Sequence, residues 1–249
     1  MRFIERIIMG LGYHKRVHLL TLLSAILFTA AGLFFQTNLR LENLSASNFS
    51  KHLNQFSPQA VSAVSRASKA VTSAHRLQQQ AYMLGFWIAL AVFIVLTIII
   101  AITMMKTRRG EATAYLLADR TKTDISLQSA LESLIAFVVG FSATTLLSLI
   151  HTNYFSNLIA HLNRQAFARK FVALDGLKLK AASKQLTKLF TGKITDFNLH
   201  GLLYGRGQAD HLLDGLSGYT VTFAFGCAAV LLIHFFIAFM HTYRIQKSL

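Results

Sequence analysis

Cysteine is nearly absent from this chain: Cys227 stands alone among 249 residues. One thiol cannot close an intramolecular disulfide, so no cross-link staples any segment. Proline also occurs once, at Pro58, which leaves the long apolar runs free of the residue that most often kinks a helix. Carboxylates are scarce, with 10 Asp and Glu against 25 Lys and Arg and a formal net charge of +15. Such an excess often marks a nucleic-acid binder. Here the basic residues flank apolar runs, where attraction to membrane lipids is the simpler cause, and no nucleic-acid partner is expected. Catalytic signatures are missing too. There is no G-x-x-x-x-G-K-[S/T] loop to cradle ATP phosphates, no H-E-x-x-H and no G-x-S-x-G, which removes the usual nucleotide, zinc and serine-hydrolase options. His14 and His18 stand four apart, but Lys15 and Arg16 lie between them and no carboxylate is near in sequence. No catalytic residue, no metal and no cofactor are therefore expected.

What the chain does have is apolar length. Hydrophobic residues make up 53% of it, and the mean hydropathy is +0.46. Runs of about 18 or more uncharged, mostly apolar residues span a hydrocarbon core roughly 30 Å thick as helices. Four runs qualify, the first marginally, at 19–35, 81–105, 133–150 and 216–240, with the third span taken as 131–150. The fold class is all-α: a polytopic membrane protein with four transmembrane helices, an N-terminal amphipathic helix and two helical extracytoplasmic loops.

Residues 1–18 place Phe3, Ile4, Ile7, Ile8 and Leu11 at helical spacing, with Arg2, Glu5 and Arg6 largely off that face. That pattern suits a helix lying along the inner membrane surface. A cleaved signal peptide is the competing reading. It is disfavoured by the long charged start and the lack of a small-x-small site after the first run. Residues 36–80 contain no Gly and are polar, and Ser57-Pro58 reads as a helix start. A helix from there would continue directly into the second span. Tyr82 and Trp87 mark the outer end of that span, where amphipathic rings collect.

The third span is small and polar in its middle, at Gly140, Ser142, Ala143 and Thr144. Small residues let helix backbones approach and hydroxyls can bond across the contact, so these four are the candidate helix-packing residues. They would serve either within the subunit or across a dimer. Residues 151–215 form a basic outer segment, within which Leu179, Ala182, Leu186, Leu189 and Phe190 share one helical face. That face is expected to cap the bundle or rest on lipid. His234 is a polar residue in the fourth span, to be read either as a hydrogen bond to a neighbouring helix or as a ligand or proton relay. Arg244 and Lys247 follow in the tail, 241–249. Basic flanks and an even number of spans put both termini and the stretch 106–130 in the cytoplasm, with 36–80 and 151–215 outside, in a multi-pass protein of the cell membrane.

The stretch 106–140 carries the most specific spacing. Arg108, Arg109 and Glu111 form R-R-x-E; Ile125 follows Glu111 by 14, Glu132 follows Ile125 by 7, and Gly140 follows Glu132 by 8. This resembles the signature between the second and third spans of FtsX/MacB-like permeases of ABC transporters, matched over about 35 residues without a gap. The glycine usual in that family's turn falls on Asp119, and a usual basic residue falls on Leu116. The Pro-Ala pair common after the family's fourth span is absent.

The resemblance implies a permease subunit that couples a separate ATP-binding subunit to export or mechanical work. It implies a second permease copy or a related subunit as partner, with Arg108, Arg109, Glu111, Ile125 and Glu132 as ATPase-coupling residues. A stand-alone four-span membrane binding protein, of the bacteriocin-immunity or stress type and acting without ATP, is the alternative. An intramembrane enzyme would need polar residues converging at one depth, and only Glu132 and His234 stand out for that in the sequence.

Overall fold

The computed structural model describes residues 2–54, 59, 65–175 and 216–248, and every regular element among them is an α-helix. In chain order these are α1 (Arg2–Tyr13), α2 (Lys15–Leu53), α3 (Ser65–Thr107), α4 (Arg109–Leu117), α5 (Lys122–Ile150), α6 (Thr152–Asp175) and α7 (Leu216–Ser248). Four of them, α2, α3, α5 and α7, are long and apolar enough to cross a membrane. The protein is an all-α, multi-pass membrane protein. Pro58 and the amphipathic stretch 179–190 lie outside the described residues.

The spans run past the apolar runs that define them. α2 has 39 residues and α3 has 43, which at 1.5 Å per residue is about 58 and 64 Å, roughly twice the hydrocarbon thickness. Span three also starts earlier than its apolar run: 122–130, expected within the connecting segment, already belongs to α5. The reason is local. Thr121 Oγ1 accepts a hydrogen bond from the Asp124 backbone N–H at 3.2 Å, so Thr121 caps the helix and Asp124 sits in its first turn.

The helices form two compact units. The first comprises Met1–Leu33, Trp87–Ile150 and Gly218–Leu249, and the second Phe34–Phe86 and His151–Ser217. In the first unit Ala25, Phe28, Leu90, Phe93, Phe137 and Val230 make the apolar core, with the Phe28 and Phe93 rings stacked at 4.3 Å between centroids. Glycine sets how closely the helices meet. A Cβ on Gly140 would stand 2.9 Å from the Leu22 carbonyl oxygen and 3.0 Å from the Ala25 Cβ, and one on Gly226 would strike the Phe137 ring. Span three is thus pressed against span one at Gly140 and against span four at Gly226, the close approach that small residues permit.

Side chains facing away from this core are apolar as well. Leu27, Val92, Ile99, Leu146, Leu147 and Leu232 are all exposed, as a bundle surrounded by lipid requires. Most span hydroxyls bond to their own helix: Thr21 to Val17 O, Thr97 to Phe93 O, Thr144 to Gly140 O and Thr222 to Gly218 O. Of the four packing candidates, Gly140 is the helix contact, Thr144 is half-buried, and Ser142 and Ala143 face outward.

In the second unit Leu41, Phe49, Val71, Ala74 and Phe167 are buried around a polar pair. His75 Nδ1 lies 2.5 Å from Glu42 Oε1, with both side chains at 2% exposure or less. The His75 ring stacks obliquely on Phe167 at 4.5 Å, and the Asn163 amide donates to the Asn38 carbonyl oxygen at 3.4 Å.

The glycine contact gives a sharp test. Gly140→Leu is expected to force span one away and destabilise the protein by about 1–3 kcal/mol, the usual cost of overpacking. Ser142→Leu, on the outward face two residues away, should leave the thermal midpoint of the detergent-purified protein unchanged. Equal midpoints for the two variants would show that span three does not pack through Gly140.

Candidate functional site

A single residue, Arg108, separates α3 from α4. Its backbone leaves helical geometry at φ −97, ψ 12, while the Arg108 N–H still bonds to Met104 O and the Ala112 N–H to Arg108 O. The chain therefore bends at Arg108 without losing its backbone hydrogen bonds. The other end of α4 closes with Asp119 in the left-handed region at φ 59. There the Asp119 N–H bonds to Leu116 O and the Arg120 N–H to Tyr115 O, both at 3.1 Å. This is the pairing of a Schellman C-cap. The left-handed position is the one where the resemblance places a glycine; Asp is among the few other residues that accept it.

The Arg108 side chain lies inward, at 8% exposure. Its guanidinium forks between two carboxylates. Nε and Nη2 donate to Glu111 Oε2 and Oε1 at 2.9 and 3.0 Å, and Nη1 donates to Glu132 Oε2 at 2.5 Å. Glu132 is fully buried; Gln128, one turn earlier on α5, donates to its Oε1 at 3.0 Å. The His14 ring closes the far side, with Nε2 2.9 Å from Glu111 Oε2. His18 Nε2 stands 3.4 Å from Glu132 Oε2, an ion-pair distance without hydrogen-bond geometry, and neither ring nitrogen has a hydrogen-bond partner.

Gly10 completes the site, since any Cβ there would collide with the Glu132 carboxylate. Ile125 lines a small cleft beside Arg108, Glu111 and Gln128. Deeper in the bundle, Ser133 Oγ lies 3.0 Å from His234 Nδ1. His234 thus joins span three to span four, the first of the two readings given for it.

Charge and burial act together here. Burial alone would make the Arg108 guanidinium easier to deprotonate, but its bonds to Glu111 and Glu132 more than offset this and hold its pKa above the ordinary value. Burial likewise pushes the Glu111 carboxyl up. The hydrogen bonds and charge of Arg108, with a further bond from His14, win, and the pKa falls from 4.5 to about 2. Two carboxylates thus face one guanidinium, with the His14 ring beside Glu111 and the His18 ring beside Glu132.

Of the five residues expected at this site, Arg108, Glu111, Glu132 and Ile125 come together inside the first unit. Arg109 does not: it is exposed on the outer side of the bend. Gly10, His14, His18 and Gln128 were not singled out for it by sequence. Their signal was present in the spacing, since Gly10, His14 and His18 recur every four residues and Gln128 precedes Glu132 by four. The buried Glu42–His75 pair carried no such signal, because its members are 33 residues apart on different helices. Among the described residues no group of three or more His, Cys, Asp or Glu is placed to hold a metal ion. Comparison with protein-family models, curated proteins and solved structures returned no match.

Removing one partner of a buried ion pair strands the other, typically at about 3–5 kcal/mol. Arg108→Met and Glu132→Leu should each destabilise the protein on that scale. The double variant should lose clearly less than the sum of the two, which thermal or denaturant unfolding of all four proteins would measure. Strict additivity would mean that the two side chains do not depend on each other.

Acid should undo the Glu111 contact. Because its folded pKa is lowered, its contribution is complete above pH 4.5 and is lost as pH falls from 4.5 toward about 2. Glu111→Gln should flatten the thermal midpoint over that window. An unchanged slope would place the acid-sensitive group elsewhere.

Proposed function

We propose that this chain is the membrane subunit of an ATP-driven complex, with α4 receiving the movement of a separate ATPase and the Arg108 clamp passing it to the spans. The observation that carries this reading is the division of labour between neighbours. Arg108 is bound inward to Glu111 on α4 and Glu132 on α5, while Arg109 and Leu117 point outward, Leu117 at 73% exposure. A short helix with an exposed charged and apolar outer side, locked to a membrane helix by a buried ion pair, suits force transfer. The resemblance of R-R-x-E…I…E to the coupling region of FtsX/MacB-like permeases supports the same assignment.

On this reading the basic flanks and the even number of spans put both termini and α4 in the cytoplasm, in the cell membrane. The subunit itself hydrolyses nothing. It works beside a second copy or a related permease, as the resemblance implies.

The test begins with a gentle detergent extract of native membranes. A P-loop ATPase should co-purify with the tagged protein. Arg109→Glu and Leu117→Glu should cut its recovery at least several-fold. Arg108→Met, if the protein remains folded, should leave recovery intact while abolishing the increase in ATP hydrolysis on assembly. Absence of any ATPase from the wild-type complex would end the permease reading and leave the stand-alone binding protein in its place.

A further inference from the structure

A second feature of the first unit has no part in the clamp. Where α3 and α7 end side by side, they enclose a groove of about 290 Å³. Its walls are apolar, formed by Ile102, Phe236 and Met240, and its mouth is basic, formed by Lys106, His241 and Arg244. The order along each helix is the same. Phe236, Met240 and Arg244 follow one another every four residues on α7, and Ile102 precedes Lys106 by four on α3, so on both helices the apolar wall leads to the charge.

Among the described residues no carboxylate pairs with Lys106 or Arg244. His241 Nδ1 is buried without a hydrogen-bond partner. Arg109, at the start of α4, is near enough to act electrostatically on His241 and adds to the positive field at the mouth. Phe236, Met240 and Ile102 are exposed at 64%, 39% and 42%, so the apolar wall is open to lipid.

The geometry points to a binding site for an anionic phospholipid, with an acyl chain along Ile102, Phe236 and Met240 and the phosphate between Lys106, His241 and Arg244. Charge complementarity selects the occupant. An apolar slot beside unpaired cations at the end of two spans matches a lipid whose own boundary between chain and phosphate lies at that depth, as basic pockets between membrane helices do elsewhere. A soluble protein segment would find no acidic or polar partner along the apolar walls. The site stands independently of the permease reading, since it needs only the membrane placement of α3 and α7.

The test uses the full-length protein in detergent, probed with phosphatidylglycerol, with phosphatidylcholine of the same acyl chains, and with inorganic phosphate alone. Native mass spectrometry should show phosphatidylglycerol retained in preference to phosphatidylcholine, and only phosphatidylglycerol should raise the thermal midpoint. Lys106→Gln with Arg244→Gln should weaken that retention by roughly tenfold, the scale expected from losing two basic contacts with an anionic headgroup. Lys51→Gln with Lys69→Gln, exposed in the second unit, should change nothing. Met240→Trp, which fills the groove and leaves every charge in place, should also weaken retention; it keeps the test decisive should the charge variant fail to fold. Equal retention of the two lipids, stabilisation by inorganic phosphate alone, or full retention by both groove variants would overturn the assignment.

Discussion

A guanidinium taken out of water must keep its partners, because an unpaired charge at that depth costs several kcal/mol. Arg108 obeys this constraint, and much of the first unit follows from it. Its two carboxylates come from different helices, Glu111 on α4 and Glu132 on α5, and His14, between α1 and α2, completes the set. Satisfying one side chain therefore ties α4 to α5, and His14 joins the N-terminal helices to the same cluster through Glu111. Gly10 shows how tight the arrangement is, since the Glu132 carboxylate occupies the space a side chain there would need.

The apolar part of the bundle is held differently. Gly140 and Gly226 allow backbones to close on Leu22, Ala25 and Phe137, and stacked phenylalanines fill the centre. Few hydroxyls act as bridges between helices. Ser133 with His234 and Ser148 with Tyr219 do so, whereas most threonines return their hydroxyls to the preceding turn. Lipid tails are as apolar as leucine, so surface area alone gives membrane helices little reason to associate. Close packing at glycine and a few buried polar bonds supply the specificity.

Arg108 and Arg109 look alike in the sequence but stand in different surroundings. One arginine is bound to Glu111 and Glu132, and its neighbour is exposed. Arg109 on α4, and Lys106 and Arg244 at the α3–α7 groove, are charges that the clamp does not use.

Membrane class, span number and helicity were legible in the chain itself, because an apolar run of sufficient length has no other stable arrangement in a bilayer. The spacing of Arg108, Glu111 and Glu132 also drew attention to the right stretch. What it could not convey was direction. R-R-x-E reads as a charged surface, and only the packing of α4 and α5 around Arg108 shows that the first arginine lies inward and the second outside. Gly140 and Ser142 were equally small in sequence, and the rotation of α5 decided that one packs and the other faces outward. The Glu42–His75 pair was invisible because its partners meet only when α2 and α3 lie side by side. Hydropathy and local spacing belong to a segment and survive in the sequence. Pairing of buried charges belongs to the relative rotation and depth of separate helices, which no single segment encodes.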